Sequence, residues 1–286
     1  MKRLAFSTLP CEGWTLDAML ELAVRCGFGG MELREGAAWG VSTDMSEEDR
    51  KRTQRQFERS GVRVTDIASG VCFTGLEGDE AQLANLKEAV KLGHDLQAGG
   101  VRVFLGHFTV RRDQDVPAIP YAPLVANIAA ACDFAAPYGV PVWIETHNEF
   151  ATGRSLRKLL DDVGRDNCAV IYDIIHPLEE GEQPEETVAL LGAQCAHVHV
   201  KDGIPFEDPM RSSWKYTRIG EGQVPIAKIV ETLERAGYAG SYSLEWETKW
   251  RPELQAPGMD PETVFPDYTA RMRHIIENLA KRGTVQ

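Results

Sequence analysis

The chain has 286 residues, 43% of them hydrophobic, and carries 43 acidic against 31 basic side chains for a formal net charge of −12. This length fits one large domain or two small ones, and the apolar share permits a sizeable core. The negative charge argues against DNA or another polyanion as a partner, and no apolar run is long enough to span a membrane, which takes about 18 residues. Cys11, Cys26, Cys72, Cys132, Cys168 and Cys195 form no C-x-x-C pair. Several lie in apolar runs, which reads as buried free thiols of a cytoplasmic protein. The basic N-terminal segment lacks a long apolar stretch and reads as a strand, not a signal peptide.

In chain order, residues 4–7 form a candidate first strand. Residues 15–26 follow as a helix, with Thr15 as N-cap and Leu16, Met19, Leu20 and Ala23 at helical spacing. Residues 27–30 break the chain before a second strand over 31–34. A charged helix is expected over 46–60, a strand over 62–69, a long amphipathic helix over 79–96, a strand over 101–105 and a helix over 122–138. The second half repeats the alternation, with strands at 140–146, 169–173, 196–200 and 241–246 and helices at 155–163, 185–191, 225–236 and 261–281.

Strands that alternate with helices, with no clear hairpin signal between them, imply parallel pairing. Eight such units in this length predict a single α/β domain over 1–286, a (β/α)8 TIM barrel. A doubly wound open sheet is the runner-up, but no glycine-rich phosphate-binding motif follows an early strand. Two connections are long, residues 110–120 and 202–221. Both follow strand C-termini, where barrel active sites lie, and both are expected to be lids or substrate walls.

Four apolar runs end in a residue that can bind a divalent metal: Val-Pro-Val-Trp-Ile-Glu145, Ala-Val-Ile-Tyr-Asp173, Ala-His-Val-His199 and Tyr-Ser-Leu-Glu245. On neighbouring barrel strands these ends share one mouth. Three carboxylates and an imidazole give a mixed O/N shell suited to one Mn2+, Mg2+, Co2+ or Zn2+ ion. The period of two in a strand leaves alternatives open. His197 shares a face with His199, and Glu247 shares one with Glu245. Lys201 continues the His199 face, so its ammonium could stabilise an oxyanion or bind a phosphate or carboxylate. Glu32 and His107, near the ends of strands two and four, are weaker pocket candidates.

Taken together, Trp-Ile-Glu145-Thr-His147, Asp173-Ile-Ile-His176, His197-Val-His199-Val-Lys201-Asp202, Gly220-Glu221-Gly222 and the run Gly237 to Glu247 resemble the xylose isomerase-like TIM barrels. That superfamily holds sugar isomerases, ketose 3-epimerases and inosose dehydratases. The resemblance implies that Glu145, Asp173, His199 and Glu245 hold a divalent metal, most often Mn2+. It also implies that Glu145 and Glu245 form the acid–base pair on opposite faces of a small carbohydrate substrate. His176 would hydrogen-bond a substrate oxygen, and relatives often form homodimers or homotetramers. Val200-Lys201-Asp202 departs from the Gly-Glu-x-Asn-Arg that follows the equivalent histidine in ketose 3-epimerases, which argues against a simple ketohexose substrate.

Plainer readings weigh against single residues. Glu145 or Asp173 alone could cap a helix, His197 reads as a core histidine, and Lys201 could pair with Asp202. His107 and His147 divide evenly between pocket lining and solvated loop, while His94 and His274 read as surface. Trp143 reads as packing. The four-strand coincidence outweighs these for the set as a whole. The expected function is therefore a metal-dependent isomerase or epimerase of a sugar or polyol derivative. A keto-sugar dehydratase or 3-keto-glycoside lyase on the same metal is the alternative. An apurinic-site endonuclease ranks low because residues 62–69 contain no histidine and the chain is acidic. A non-catalytic sugar-binding barrel is disfavoured by the intact ligand set.

Overall fold

Eight strands carry the architecture, and a computed structural model describes them within residues 3–283. The remaining terminal residues of the expected 1–286 span lie outside the described region. The strands are β1 (Leu4–Ser7), β2 (Gly30–Arg34), β3 (Arg63–Ala68), β4 (Val101–Leu105), β5 (Val142–Glu145), β6 (Cys168–Asp173), β7 (Cys195–Val200) and β8 (Ser241–Leu244). Each pairs in parallel with its sequence neighbours, and β8 returns to β1. The ring closes between β3 and β4 through Ile67 and Val101, with Ile67 N donating to Gly100 O at 3.0 Å. The result is the expected (β/α)8 barrel.

The outer helices are α1 (Leu16–Cys26), α2 (Glu47–Ser60), α3 (Asp79–Asp95), α4 (Tyr121–Ala135), α5 (Gly153–Val163), α6 (Pro184–Leu191), α7 (Ile226–Arg235) and α8 (Pro261–Lys281). Local chemistry sets their starts. Thr15 caps α1 by accepting from Ala18 N at 3.3 Å, and Ser46 caps α2 from Asp49 N at 3.1 Å. Apolar strand residues are buried on both faces, outward against the helices and inward within the ring, as parallel sheets require. Among the described residues no helix is long and apolar enough to cross a membrane.

One hairpin departs from the expected all-parallel pattern. Within the long connection after β7, Asp202–Ile204 pairs antiparallel with Lys215–Thr217. The prolines at 205 and 209 interrupt the apolar pattern between these short strands, which hides them in the sequence. The two long connections meet over the mouth. Arg111 and Arg211 form an isolated antiparallel bridge, Arg112 N donates to Met210 O at 2.8 Å, and Ser212 Oγ donates to Thr109 O at 2.6 Å.

The lower barrel interior is packed by Trp143, whose ring stacks on His197 at 5.9 Å between centroids. Gly100 makes room for it, since a Cβ there would lie 2.4 Å from two indole carbons. Gly100→Ala is therefore expected to destabilise the fold by about 1–3 kcal/mol through overpacking. Denaturant unfolding checks this, and an unchanged midpoint would contradict the packing described.

Candidate metal and acid–base site

β5 to β8 deliver Glu145, Asp173, His199 and Glu245 to one point. One ligand atom from each can be chosen so that all lie within 4.8 Å of one another, close enough to bind a single ion. All four are buried. The hydrogen bonding around them leaves donor atoms for a metal. Glu145 Oε2, Asp173 Oδ2, His199 Nδ1 and Glu245 Oε2 are buried and make no well-aligned hydrogen bond. Asp173 is oriented by Ile175 N, which donates to Oδ1 at 3.1 Å and turns Oδ2 toward the cluster. His199 Nε2 sits 2.7 Å from Glu32 Oε2. A carboxylate there fixes the proton on Nε2 and presents Nδ1 to the metal side, the usual arrangement behind a ligating histidine.

Positive groups answer the carboxylates. Arg102 Nη1, from within β4, lies 3.1 Å from Glu145, 3.3 Å from Glu245 and 3.8 Å from Glu32. Lys201 Nζ lies 2.6 Å from Asp173 Oδ2 and 2.5 Å from Glu245 Oε2, and it also contacts Glu247. The ammonium approaches these two oxygens at ion-pair distance without hydrogen-bond alignment. Burial raises the carboxyl pKa of Glu145 and Glu245, but nearby cations outweigh it and hold both below the usual range. For Glu145 these are Arg102 and His199; for Glu245 they are chiefly His199 and Lys201. Burial lowers His199, yet Glu245, Glu32 and Glu145 raise it well above an ordinary imidazole. A metal at Nδ1 therefore has to displace a proton.

Above this floor lies a cavity of about 840 Å³. Glu145, Glu245, His107, His147, His176 and Glu247 line it. Glu32, Asp173, His199 and Lys201 lie outside its lining. Glu32 instead supports His199 from behind. His176 sits on a short helix, Ile175–Glu179, directly after β6; its Nδ1 is 2.9 Å from Glu179 and its Nε2 3.5 Å from Asp173. Its ring lies 4.3 Å from that of His147. His107 is paired with Glu149 at 2.9 Å on the wall. Glu247 is absent from the four-residue cluster and is bonded to Lys201 and Arg251. His197 lies one layer deeper, 3.4 Å from Glu32, and belongs to a second close group with Glu32 and His199. Asp202, the other partner considered for Lys201, instead accepts from Gly203, Gly220, Gly222 and Val224 N–H groups and holds the loop after the hairpin.

The family model described as Xylose isomerase-like TIM barrel matches residues 20–281. The chain belongs to this family. Hydroxypyruvate isomerase of Escherichia coli K12 is 23% identical over 257 residues, covering 85% of this chain and 92% of that protein. Fructoselysine 3-epimerase of Shigella flexneri is 20% identical, covering 81% and 85%. An uncharacterized protein of Methanocaldococcus jannaschii is 26% identical, but the match spans only 42% of this chain and 41% of that one. Among solved structures, L-ribulose 3-epimerase superposes with a TM-score of 0.78 at 19% identity, over 99% of this chain and 97% of that one. The probable 3-DHS dehydratase AsbF of Bacillus anthracis gives 0.76 at 17%, over 95% and 98%. IolI with a bound zinc atom gives 0.78 at 18%, over 96% and 98%. These structural likenesses show the shared barrel.

Within this xylose isomerase-like barrel, sequence reasoning missed Arg102 and Asp66. Both are charged residues inside strands and both are buried, Asp66 with its carboxyl raised by burial and by Glu32. The signal was available in Val-Arg-Val-Phe-Leu, where a lone arginine shares parity with neither apolar neighbour.

The histidine pair above the floor can be tested directly. Burial and the neighbouring His176 charge push His147 down to about 4. Burial also opposes charge on His176, but Asp173 and Glu179 outweigh it and raise it from 6.5 to about 9. Because the His176 value is raised on folding, the stability it adds is full below pH 6.5 and is lost as pH climbs through about 9. Imidazole NMR of the metal-free chain is expected to show these two separated titrations. Two rings titrating together near an unperturbed value would contradict the geometry.

Proposed function

We propose that this protein is a divalent-metal-dependent isomerase or epimerase of a sugar or polyol derivative, acting by proton transfer beside a carbonyl. The observation that carries the reading is the convergence of Glu145 and Glu245. Both belong to the four-residue cluster and both line the cavity, so each can touch an ion and a substrate. The proposed ligands are Glu145, Asp173, His199 and Glu245. Mn2+ is the first choice, with Mg2+, Co2+ and Zn2+ also compatible with an O/N shell. Zinc in the neighbouring IolI structure supports a metal at this mouth. When bound, the metal would polarise a substrate carbonyl and acidify the adjacent C–H.

The chain's own groups supply the rest. Glu145 and Glu245 are held in the charged form a base requires. One removes the proton and the other returns one, and substrate handedness sets the order. Arg102 lies against both carboxylates and stabilises negative charge that develops between them. His176 and His147 face the cavity and can hydrogen-bond substrate oxygens, while His107 lines the wall further out. The paired loops above restrict water. The small-molecule chemistry named for the isomerase and epimerase relatives supports a carbohydrate substrate.

A dehydratase is the second reading, favoured by one observation. Lys201 is a buried ammonium 2.5 Å from Glu245, which lines the cavity, and its charge can stabilise a hydroxyl departing beside that carboxylate. The shared barrel of AsbF, a probable 3-DHS dehydratase, supports that reading.

Turnover in D2O separates the two. An isomerase or epimerase leaves solvent deuterium on carbon in recovered and converted sugar, whereas a dehydratase yields an ultraviolet-absorbing enone. Glu145→Gln and Glu245→Gln are each expected to lower kcat/KM by about 10²-fold or more. Chelation should abolish turnover and Mn2+ restore it. Substrate binding with no turnover in the metal-loaded wild type would instead mark a binding protein.

A further inference from the structure

The arginines on the cavity wall fall into two kinds. Arg102 is paired with Glu145 and Glu245, Arg112 with Glu180, Arg251 with Glu247, and Arg111 with Asp113 and Asp208. Arg34 lines the same cavity and, among the described residues, has no carboxylate within the 4.0 Å ion-pair limit. Its sequence neighbour Glu35 forms no ion pair with it and accepts from Thr43 N at 3.3 Å and Thr43 Oγ1 at 3.4 Å. Arg211 also lacks a carboxylate partner, but it lies on the exposed roof with its guanidinium over Phe206.

Arg34 is held in place. It closes β2, where its N–H donates to Thr8 Oγ1 at 2.8 Å. Nη1 donates to Ala68 O at 2.9 Å, and the guanidinium carbon lies 5.4 Å from the Trp39 ring centroid. The next carbonyl along, Ser69 O, is taken by Arg102 Nη2 at 3.3 Å, so two guanidinium groups sit side by side at the end of β3. Gly70 leaves the adjoining space clear, since a Cβ there would lie 3.4 Å from Arg34 Nη2. Burial, then the charge of Arg102, pull the Arg34 pKa below its ordinary value against the opposing charges of Glu35, Glu245 and Glu32. A fixed, half-buried guanidinium with donors to spare is suited to bidentate binding of an oxyanion.

We infer that Arg34 anchors an oxyanion carried by the substrate, a carboxylate or a phosphate, and so selects acidic sugar derivatives over neutral sugars. The inference rests on the reading of the cavity as the substrate pocket and extends it to substrate class. Arg34 and Glu245 line one cavity, so the anchored anion and the reacting carbons belong to the same small molecule.

Titration calorimetry on the Mn2+-loaded chain tests it with three probes: D-fructose, D-fructose 6-phosphate and 5-keto-D-gluconate. At least one of the two anions is expected to bind about tenfold or more tightly than fructose, the effect of one charge-assisted contact. The preferred anion tells phosphate from carboxylate. Arg34→Gln should erase that preference while leaving fructose affinity within about twofold, and Arg34→Lys should keep part of it. Should Arg34→Gln fail to fold by circular dichroism, a reduced preference in Arg34→Lys is the required result. No anion preference in the wild type, or an intact preference in the substituted chain, overturns the inference. Anion preference without any deuterium exchange would sink the proposed chemistry and leave the anchor standing. Exchange with no anion preference would do the reverse.

Discussion

The carboxylates of Glu32, Glu145, Asp173 and Glu245 are withdrawn from water at one end of the barrel. Burying a charge costs several kcal/mol unless opposite charge and hydrogen bonds offset it. Arg102, His199 and Lys201 supply the opposite charge, and each is itself buried. This mutual neutralisation fixes the side chains in the arrangement that a metal and a substrate would use. The cations reach the carboxylates from two strands: Arg102 rises from β4, while His199 and Lys201 come from the end of β7. A loop could not hold so many charges at fixed separations out of water.

The barrel provides that rigidity in layers. Trp143 and His197 fill the interior beneath the charged floor, and Gly100 is small so that the indole fits. Above the floor, the two long connections are tied by main-chain hydrogen bonds and the Arg111–Asp208 pair into a roof. The cavity between floor and roof is lined by histidines and arginines together with apolar side chains such as Phe104, Phe108 and Trp250. Its paired cations belong to the protein's own balance, which is why a guanidinium such as Arg34, without a carboxylate partner, stands out.

Much of this was legible in the sequence, for physical reasons. The eight strands and their helices were visible because parallel strands buried on both faces are short continuous apolar runs and amphipathic helices are not. Glu145, Asp173, His199 and Glu245 stood out because each ends such a run. The antiparallel hairpin was hidden by prolines, and the short helix carrying His176 was too brief to show periodicity. Arg102 and Asp66 were passed over because a charge inside a strand reads as a solvated face until ring closure turns that face inward. The alternatives between Glu245 and Glu247, and between His197 and His199, share parity and differ only in depth. Depth is set by the stagger of the strands, which no linear pattern encodes.

The central claim is that the charged floor is a metal site and not only a salt-bridge network. Lys201 makes the distinction measurable, because its ammonium claims Asp173 Oδ2 and Glu245 Oε2, two of the atoms a metal would take. A crystal structure with Mn2+ and its anomalous difference map is the most direct measurement. The account predicts one peak at coordination distance from Glu145, Asp173, His199 and Glu245, with Lys201 moved off Asp173. A Lys201 ammonium still seated between Asp173 and Glu245, with no peak beside it at saturating Mn2+, would contradict it.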